Sequence, residues 1–317
     1  MKILVTGAAG FIGSHTAERL KKLGHHVIGI DNFSPYYDRE LKELNTKDLK
    51  EQDIPVVEMD LRNVEDYTLL DQDFDYIFHF AAQPGISSLC TFEDYLTNNI
   101  IATHNLIDFA LQNSRLKLFI NIATSSIYGR EATLSEEKPP EPISNYGITK
   151  LAAEQYVLSK AREEQLNACS FRLYSVYGPR ERPEKLYTKL ISCAFNNEPF
   201  PLYEGSEKHL RSFTYVGDIV DGIVSALDNE RILNKQIINL GTEAENSTQE
   251  GIDFVEEVLN TSINIQKVPP REGDQLKTNA VIDKAKKLLN YNPSTTLKEG
   301  IEKQAEWYKK NFVKTSS

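Results

Sequence analysis

The chain is poor in cysteine, and its three cysteines form no recognisable pattern. Cys90, Cys169 and Cys193 lie far apart in the sequence, are odd in number and include no CxxC pair. A disulfide framework or a structural zinc site would need paired or closely spaced cysteines. We therefore predict reduced thiols, a cytoplasmic location and no metal site.

Long apolar runs and an excess of positive charge are also missing. No segment approaches 18 consecutive apolar residues, so no membrane span is expected. The opening MKILVTGAAG contains an apolar run that is too short for a signal peptide and indicates a first strand instead. The net charge of the 317 residues is −10. Because nucleic-acid-binding proteins present a basic face, no nucleic-acid partner is predicted.

Short β-rich runs alternate with longer helical patterns along the first half of the chain. The predicted strands are residues 3–6, 26–30, 55–59, 76–80, 116–123, 168–173 and, later, 236–240. The predicted helices are residues 12–23, 92–112 and 146–164. Strands separated by helices imply right-handed crossovers, so we predict an α/β fold with a doubly wound parallel Rossmann sheet.

The pattern becomes less regular after Gly178-Pro179, where several prolines interrupt it. We predict an NAD-binding Rossmann domain of residues 1–173 plus about 214–242. A smaller, mixed α/β substrate domain is predicted for residues 174–213 and 243–317. The chain would then cross between the two domains more than once.

A glycine-rich loop follows the first predicted strand and opens a helix. Gly7, Gly10 and Gly13 are spaced as GxxGxxG, with Phe11 and Ile12 at the predicted start of the helix. The first glycines allow backbone N–H groups to approach a pyrophosphate, and the third allows close packing of the helix on the sheet. Because of this strand–loop–helix context, we predict a dinucleotide site rather than a simple turn.

An acidic residue stands at the end of the second predicted strand. Asp31 comes 18 residues after Gly13, close to the roughly 20 expected for a ribose-binding carboxylate. Such a carboxylate accepts from a ribose 2′-hydroxyl and repels a 2′-phosphate, which favours NAD over NADP. The alternative is a turn residue before Asn32. Asp60-Leu61, after the third strand, is predicted either to contact the adenine or to lie on the surface.

A tyrosine and a lysine stand four residues apart at the start of a predicted helix. Tyr146 and Lys150 therefore share a helix face. A free tyrosine titrates near 10, but a nearby ammonium or a nicotinamide cation favours the phenolate. Such a tyrosine can take a proton from a sugar hydroxyl while a hydride leaves the same carbon. The spacing alone is common, and the preceding dinucleotide loop makes it informative.

Hydroxyl side chains follow the fifth predicted strand. Thr124, Ser125 and Ser126 come directly after this strand, and Thr124 lies 22 residues before Tyr146. Their hydroxyls are therefore expected at the carboxyl end of the sheet, where ligands bind. Thr124 is predicted to hydrogen-bond the reacting oxygen, and the two serines to orient the sugar ring. The alternative is a group of turn or cap formers.

These motifs occur together and in one order. With TGAAGFIGSH at residues 6–15, Asp31, TSSIYG at 124–129 and YGITK at 146–150, the sequence resembles the extended short-chain dehydrogenase/reductases. Within them it is most similar to the nucleotide-sugar 4-epimerases of the UDP-glucose and UDP-glucuronate type. The resemblance implies an isomerase with tightly bound NAD, a homodimer, and a UDP-sugar held between the domains. Thr124, Tyr146 and Lys150 match the catalytic residues of the family.

The resemblance also implies further binding residues. The expected cofactor contacts include Asn32, Asp60, Leu61, Ala81, Ala82, Gln83, Asn98, Tyr174 and Val176. The expected substrate contacts are Ser87, Thr124, Ser125, Ser126, Ser175, Arg182, Tyr203, Arg211, Arg271 and Asp274. Arg211 and Arg271 match the arginines that grip the diphosphate, a task that suits the planar, always charged guanidinium. Without the family they would be taken for surface charges.

Two further positions bear on the reaction and the sugar. Dehydratases of this group carry an acid after the Ser/Thr, and this chain has Ser125 and Ser126. We therefore predict an NAD-dependent 4-epimerase that works through a 4-keto sugar; the alternatives are a nucleotide-sugar dehydratase and a 4-keto-sugar reductase. The stretch 81–85 resembles the glucuronate-type enzymes, which usually have arginine where this chain has Ser87. The substrate is predicted to be a UDP-hexose or a UDP-uronate.

Overall fold

A computed structural model describes residues 1–87, 89–270 and 277–313. Its strands are, in chain order, β1 (Lys2–Thr6), β2 (His26–Asp31), β3 (Val56–Glu58), β4 (Tyr76–His79), β5 (Leu118–Thr124), β6 (Glu131–Ala132), β7 (Ala168–Leu173), β8 (Val176–Tyr177), β9 (Phe200–Tyr203), β10 (Leu210–Arg211), β11 (Thr214–Tyr215), β12 (Ile237–Leu240), β13 (Asn246–Ser247), β14 (Ile265–Val268) and β15 (Lys277–Thr278).

The α-helices cover both faces of a central sheet and form much of the C-terminal half. They are α1 (Phe11–Lys22), α2 (Arg39–Glu51), α3 (Phe92–Tyr95), α4 (Ala102–Leu111), α5 (Asn145–Arg162), α6 (Leu186–Asn196), α7 (Val216–Val224), α8 (Glu230–Leu233), α9 (Thr248–Leu259), α10 (Asp283–Leu289) and α11 (Leu297–Phe312). A π-helical segment, Leu96–Ile101, joins α3 to α4.

The central sheet is parallel, and within the described residues it has seven strands in the order β12-β7-β5-β4-β1-β2-β3. Strands β4, β5 and β7 are buried along their whole length, as expected for strands covered on both faces. Strand β1 pairs with β2 on one side and with β4 on the other. The order of the strands therefore switches direction at β1. Such a switch point opens a crevice at the carboxyl ends of the strands. The predicted doubly wound α/β fold is confirmed.

The glycine loop packs tightly at this switch point. A Cβ added at Gly13 would lie 2.3 Å from the carbonyl oxygen of Gly7, so only glycine allows α1 to approach β1 this closely. Gly7 itself has a φ of +67°, a conformation that glycine adopts without a Cβ clash. Helix α1 begins at Phe11, and its N-cap residue Gly10 provides no capping side chain. Backbone N–H groups at this helix end are therefore available to a ligand.

The predicted strands all form, with small differences at their ends, but two helical regions differ from expectation. Helix α2, Arg39–Glu51, was not predicted, because its sequence RELKELNTKDLKE lacks an apolar stripe and buries Lys42 and Asn45 beside Leu49. The helix predicted for residues 92–112 forms, but it is divided by the π-helical segment.

The C-terminal half surrounds a second core. Helices α6, α9 and α11 pack together around a cluster that includes Tyr187, Leu190, Val255 and Ile301. The short sheets here are β13-β10-β15-β6, β11-β8 and β14-β9, and the first of them includes β6 from the first half of the chain. Strand β12 returns to the edge of the central sheet beside β7, as predicted. The division into two domains stays a prediction.

None of the helices within the described residues combines the length and the apolar character that crossing a membrane requires. In the same part of the chain, no group of three or more His, Cys, Asp and Glu side chains is arranged to hold a metal ion. The cysteines Cys90, Cys169 and Cys193 are free thiols.

Candidate active site

A cleft of about 900 Å³ opens at the carboxyl ends of the central strands. The predicted cofactor residues that line it are Gly7, Gly10, Phe11, Ile12, Gly13, Asp31, Asn32, Asp60, Leu61, Ala81, Ala82, Gln83, Asn98, Tyr146, Lys150 and Val176. The predicted substrate residues that line it are Ser87, Thr124, Ser125, Ser126, Ser175, Arg182 and Arg211. Residues that lie far apart in the sequence thus meet in one cavity.

Two predicted contacts do not line the cleft, and two others fall outside the described residues. Tyr174 is fully buried in the core, where its ring packs against Gly241, and it does not line the cleft. Tyr203 ends β9, is 39% exposed and also lies outside the cleft lining. Arg271 and Asp274 fall outside the described residues. The cofactor contact of Tyr174 and the substrate contact of Tyr203 stay predictions.

Asp31 lies at the glycine-loop end of the cleft and is held by three donors. Its Oδ2 accepts from the N–H of Ala9 at 3.2 Å, and its Oδ1 accepts from the N–H of Phe33 at 2.8 Å. The third donor is the ammonium of Lys42, 3.2 Å from Oδ1, and both side chains of this ion pair are buried. Lys42 also lines the cleft but was not predicted, since a lysine in a polar helix has no distinguishing sequence signal.

Tyr146 and Lys150 occupy the first two turns of α5. Ser144 caps this helix, its Oγ accepting the N–H of Gly147 at 3.1 Å, so both side chains face the cleft from one helix surface. Lys150 is buried, and burial lowers the pKa of its ammonium to about 8, an effect that the nearby Glu154 carboxylate opposes. An ammonium in this environment can gain or lose its proton near neutral pH.

The environment of Tyr146 acts on its pKa in two directions. Burial raises the pKa of the phenol. The hydrogen bond with the Thr124 side chain, the positive charge of Arg182 and the backbone of Gly85 lower it. These three groups stabilise the phenolate at the cleft wall. The influence of Lys150 on this phenol, suggested by the helical spacing, stays a prediction.

Thr124 has two further contacts, both with Ser126. It ends β5, where its Oγ1 accepts the N–H of Ser126 at 3.2 Å and lies 3.3 Å from Ser126 Oγ. It therefore caps the short 3-10 turn Ser125–Tyr128 while presenting its hydroxyl to the cleft. The two interpretations of this Ser/Thr group from the sequence are compatible, because a cap residue at a strand end can also face a ligand.

The loop that carries Arg182 is anchored to the glycine-loop helix. Arg180 Nη2 lies 2.7 Å from Glu18 Oε1 in α1 and 2.8 Å from Asp48 Oδ2 in α2. Arg182 then reaches the cleft, where its Nη2 is 3.0 Å from the place a Cβ on Gly85 would occupy. This geometry explains how a residue from the crossover into the C-terminal half acts on Tyr146.

Glu181 is a cleft residue that sequence reasoning missed. Its Oε2 accepts from Gln304 Nε2 at 3.0 Å and from Thr188 Oγ1 at 3.3 Å, and the side chain is buried. Burial raises its pKa to about 7, while the hydrogen bond from Gln304 and the charges of Lys185 and Arg182 oppose that rise. No sequence signal marks this residue, since its partners come from α6 and α11.

A family model matches most of this architecture. Residues 3–241 match the NAD-dependent epimerase/dehydratase family. The chain belongs to that family. Family membership accounts for the conjunction of the glycine loop, Asp31, Thr124 and Tyr146 in one cleft, and it confirms the prediction made from the sequence motifs.

Relatives of this epimerase/dehydratase family member span nearly its whole length. A Bacillus subtilis (strain 168) protein described as an uncharacterized UDP-glucose epimerase is 35% identical over 95% of this chain and 96% of its own. UDP-glucuronate 4-epimerase 6 of Arabidopsis thaliana is 32% identical over 97% of this chain and 71% of its own. Both descriptions name UDP-sugar epimerases.

Solved structures of the family agree with the fold. The UDP-glucuronic acid 4-epimerase of Bacillus cereus, in complex with UDP-glucuronic acid and NAD, has a TM-score of 0.92 and 34% identity. The alignment covers 98% of this chain and all of that one. A UDP-glucose 4-epimerase from Thermotoga maritima with UDP-glucose gives a TM-score of 0.87 at 28% identity, over 98% of this chain and 99% of that one.

Proposed function

We propose that this protein is an NAD-dependent UDP-sugar 4-epimerase, an isomerase that inverts C4 through a transient 4-keto sugar. The observation that carries the proposal is a single cleft that brings Tyr146 and Thr124 together with the glycine loop and Asp31. This arrangement combines a proton acceptor with a dinucleotide site. The epimerases among the relatives and solved structures support the same reaction.

The residues at one end of the cleft fit a dinucleotide. The uncapped start of α1 offers backbone N–H groups to a pyrophosphate, and Asp31 offers a carboxylate to a ribose hydroxyl. Bound NAD would supply the acceptor for the C4 hydride and return it to the opposite face of the sugar. Ala81, Gln83 and Asn98 would line the path of this cofactor.

The chain's own side chains move the proton. Tyr146, as the phenolate, takes the proton of the C4 hydroxyl, and Thr124 donates a hydrogen bond that holds the C4 oxygen. Lys150 favours the phenolate and binds the nicotinamide ribose. Arg211, which lines the cleft, grips the diphosphate, so that the keto sugar turns over while it remains attached. Tyr146 then returns the proton to the inverted C4 oxygen.

The sugar is a uronate in this proposal. Arg182 lines the cleft beside Gly85, and its positive charge acts on Tyr146. In this proposal its guanidinium faces the end of the cleft where C4 and C6 of the sugar would sit. A guanidinium there suits a C6 carboxylate, with which it can form two parallel hydrogen bonds. In this structure Arg182 Nη1 lies 2.7 Å from Glu184 Oε1. The Glu184 side chain is half exposed, so a substrate carboxylate can replace it as the partner of Arg182. Arg182 thus supplies the cation that Ser87 does not.

The dehydratase alternative finds less support in the cleft. Elimination of water needs a base for the C5 proton, and Ser125 and Ser126 stand where that acid is usual. Among the described lining residues, the acids are Asp31, Asp60 and Glu181. The first two lie at the adenosine end, and Glu181 is engaged with Gln304 and Thr188.

The decisive experiment supplies UDP-sugars to the purified protein without added cofactor. NMR of the products from UDP-glucuronate, UDP-glucose and UDP-N-acetylglucosamine should show C4 inversion at constant mass, fastest with UDP-glucuronate. Loss of water or of carbon dioxide, or an absolute need for added NADPH, would contradict an epimerase. Equal or faster inversion of UDP-glucose would contradict the uronate specificity alone.

A further inference from the structure

A buried chain of hydrogen bonds connects β1 with the π-helical segment. Thr6 Oγ1 accepts the N–H of Ala81 at 3.0 Å and lies 2.8 Å from His79 Nδ1. On the other side of the imidazole ring, His79 Nε2 lies 2.9 Å from Thr103 Oγ1. Thr103 Oγ1 donates to the carbonyl oxygen of Asn99 at 2.7 Å. Apart from Ala81, each of these residues is at most 2% exposed.

The directions of these hydrogen bonds follow from the number of protons available. Thr103 gives its only hydroxyl proton to the Asn99 carbonyl, so the ring proton of His79 must sit on Nε2. Nδ1 is then an acceptor and takes the hydroxyl proton of Thr6. Burial and the nearby charge of Lys150 lower the pKa of His79 to about 3, which keeps this ring neutral.

The side chain of Asn99 extends the chain to the helix that carries Tyr146. Its Oδ1 accepts the N–H of Gln83 at 2.7 Å, and its Nδ2 donates to Thr149 Oγ1 at 3.0 Å. Thr149 is fully buried and bonds in turn to the carbonyl oxygens of Asn145 and Tyr146, at 2.8 and 3.1 Å. A single asparagine therefore bridges two walls of the cleft.

The local backbone around Asn99 is unusual. Asn99 lies within the π-helical segment Leu96–Ile101. Such segments inside helices are rare, and those that occur are often found at functional sites. Its neighbour Asn98 lines the cleft, while Asn99 points into the buried network. The π-helical segment thus places Asn98 in the cleft wall and Asn99 in the buried hydrogen-bond network.

We propose that Asn99 and Thr149 are positioning residues that set the distance between the Ala81–Gln83 segment and the catalytic helix α5. The inference rests on the proposed function, in which that segment passes the cofactor and Tyr146 is the base. Neither residue lines the cleft. They act because hydride and proton transfer need closely aligned groups, and a displacement of about 1 Å can cost on the order of a hundredfold in rate.

The test removes one hydroxyl without changing shape. Thr149→Val should lower the single-turnover rate of NADH formation with UDP-glucuronate, followed at 340 nm and expressed per bound NAD, by roughly ten- to a hundredfold. KM should stay close to that of the wild type. Thr149→Ser, which restores the hydroxyl, should recover most of the rate. Thr16→Val is the matched control, because Thr16 is equally buried in a helix and its hydroxyl bonds only to the Ile12 carbonyl.

A second readout does not depend on turnover. Hydrogen exchange of the Gln83 amide, measured by mass spectrometry on the cofactor-free protein, should be faster in Thr149→Val than in Thr16→Val or the wild type. The inference is overturned if Thr149→Val has the same rate per bound NAD as the wild type. It is also overturned if the rate of Thr149→Ser is as low as that of Thr149→Val. Loss of bound NAD with an unchanged rate per NAD also overturns it. If the wild type converts no UDP-sugar, the proposed function fails and the exchange result alone decides the positioning role.

Discussion

Arg172 and Glu154 form an ion pair inside the protein core, with Nη2 2.6 Å from Oε1 and Nε 3.0 Å from Oε2. Their side chains are 1% and 0% exposed. Ser170 Oγ donates to the same carboxylate at 3.0 Å. The pair joins β7 to α5 one turn after Lys150, so it braces the helix that presents the catalytic side chains.

Arg172→Met should destabilise the protein strongly, because it leaves the Glu154 carboxylate buried without its partner. The expected loss in the free energy of unfolding is about 3–5 kcal/mol, measured by urea denaturation. Arg172→Met combined with Glu154→Leu should recover most of that loss, since the uncompensated charge is then gone. A double variant as unstable as the single one would mean that packing, rather than charge, explains the effect.

Tyr146→Phe should lower kcat for UDP-sugar inversion by roughly 10²–10⁴-fold, the usual contribution of a positioned general acid–base group. The amount of bound NAD should not change, because the phenol is not expected to hold the cofactor. Product NMR and release of NAD from denatured protein measure the two quantities. Tyr156→Phe, on the same helix with its hydroxyl bonded to the exposed His104, is the control and should behave as wild type. A fully active Tyr146→Phe enzyme would refute the assignment of the base.

Asp31→Ser should weaken NADH binding by roughly 10- to 100-fold, the value of a charged hydrogen bond of about 1.5–3 kcal/mol. The same change releases Lys42 from its carboxylate partner and leaves a cation beside the ribose site. Binding of NADPH should therefore become measurable by nicotinamide fluorescence in the cofactor-free variant. Adding Lys42→Met should abolish this new binding. Unaltered NADH affinity in Asp31→Ser would exclude a ribose contact.

Glu181 should make the stability of the protein fall as the pH rises from 4.5 to 7. Burial raises the pKa of this carboxyl from 4.5 to about 7, so the native state retains a proton there that the unfolded chain has already released. Glu181→Gln keeps an acceptor for Gln304 and removes the titration. Its stability relative to wild type should therefore grow by about 3 kcal/mol across this window, at roughly 1.4 kcal/mol per pKa unit, and then stay constant.

Urea denaturation at a series of pH values measures this trend. Glu198→Gln, at an exposed position in the same half of the chain, serves as the control and should show no such trend. A constant difference between Glu181→Gln and wild type from pH 4.5 to 8 would show that Glu181 titrates normally in the folded protein.

Arg182→Met should separate the two candidate sugars. KM for UDP-glucuronate should rise by roughly 10- to 100-fold through loss of a charged hydrogen-bonded pair, while KM for UDP-glucose stays close to wild type. kcat should fall for both sugars, since Arg182 also lowers the pKa of Tyr146. Initial rates with each sugar measure these changes. KM of Arg182→Lys for UDP-glucuronate should lie between those of the wild type and Arg182→Met, because lysine keeps the charge but not the planar fork. An equal rise of KM for both sugars would remove Arg182 from uronate recognition.

Local motifs account for what could be predicted before the structure. The glycine loop, the strand-end Asp31 and the YxxxK spacing each depend on residues that are neighbours in sequence, and their context identified both the family and NAD as its cofactor. Period and composition likewise predicted the strands of the central sheet. The ring of Tyr174, by contrast, packs into the core and does not line the cleft, so its contact with the cofactor stays a prediction.

By itself, the sequence determined the α/β fold, the dinucleotide loop and the Tyr146–Lys150 helix face, because these are written in short-range spacing. Only the tertiary structure decided that Lys42 pairs with Asp31, that Arg182 lines the same cleft as Tyr146, and that Asn99 joins Gln83 to Thr149. These contacts bring together residues from separate elements, and burial shifts the pKa values of Tyr146 and Lys150 in the same cleft. Neither the distances nor the burial can be read from the order of residues along the chain.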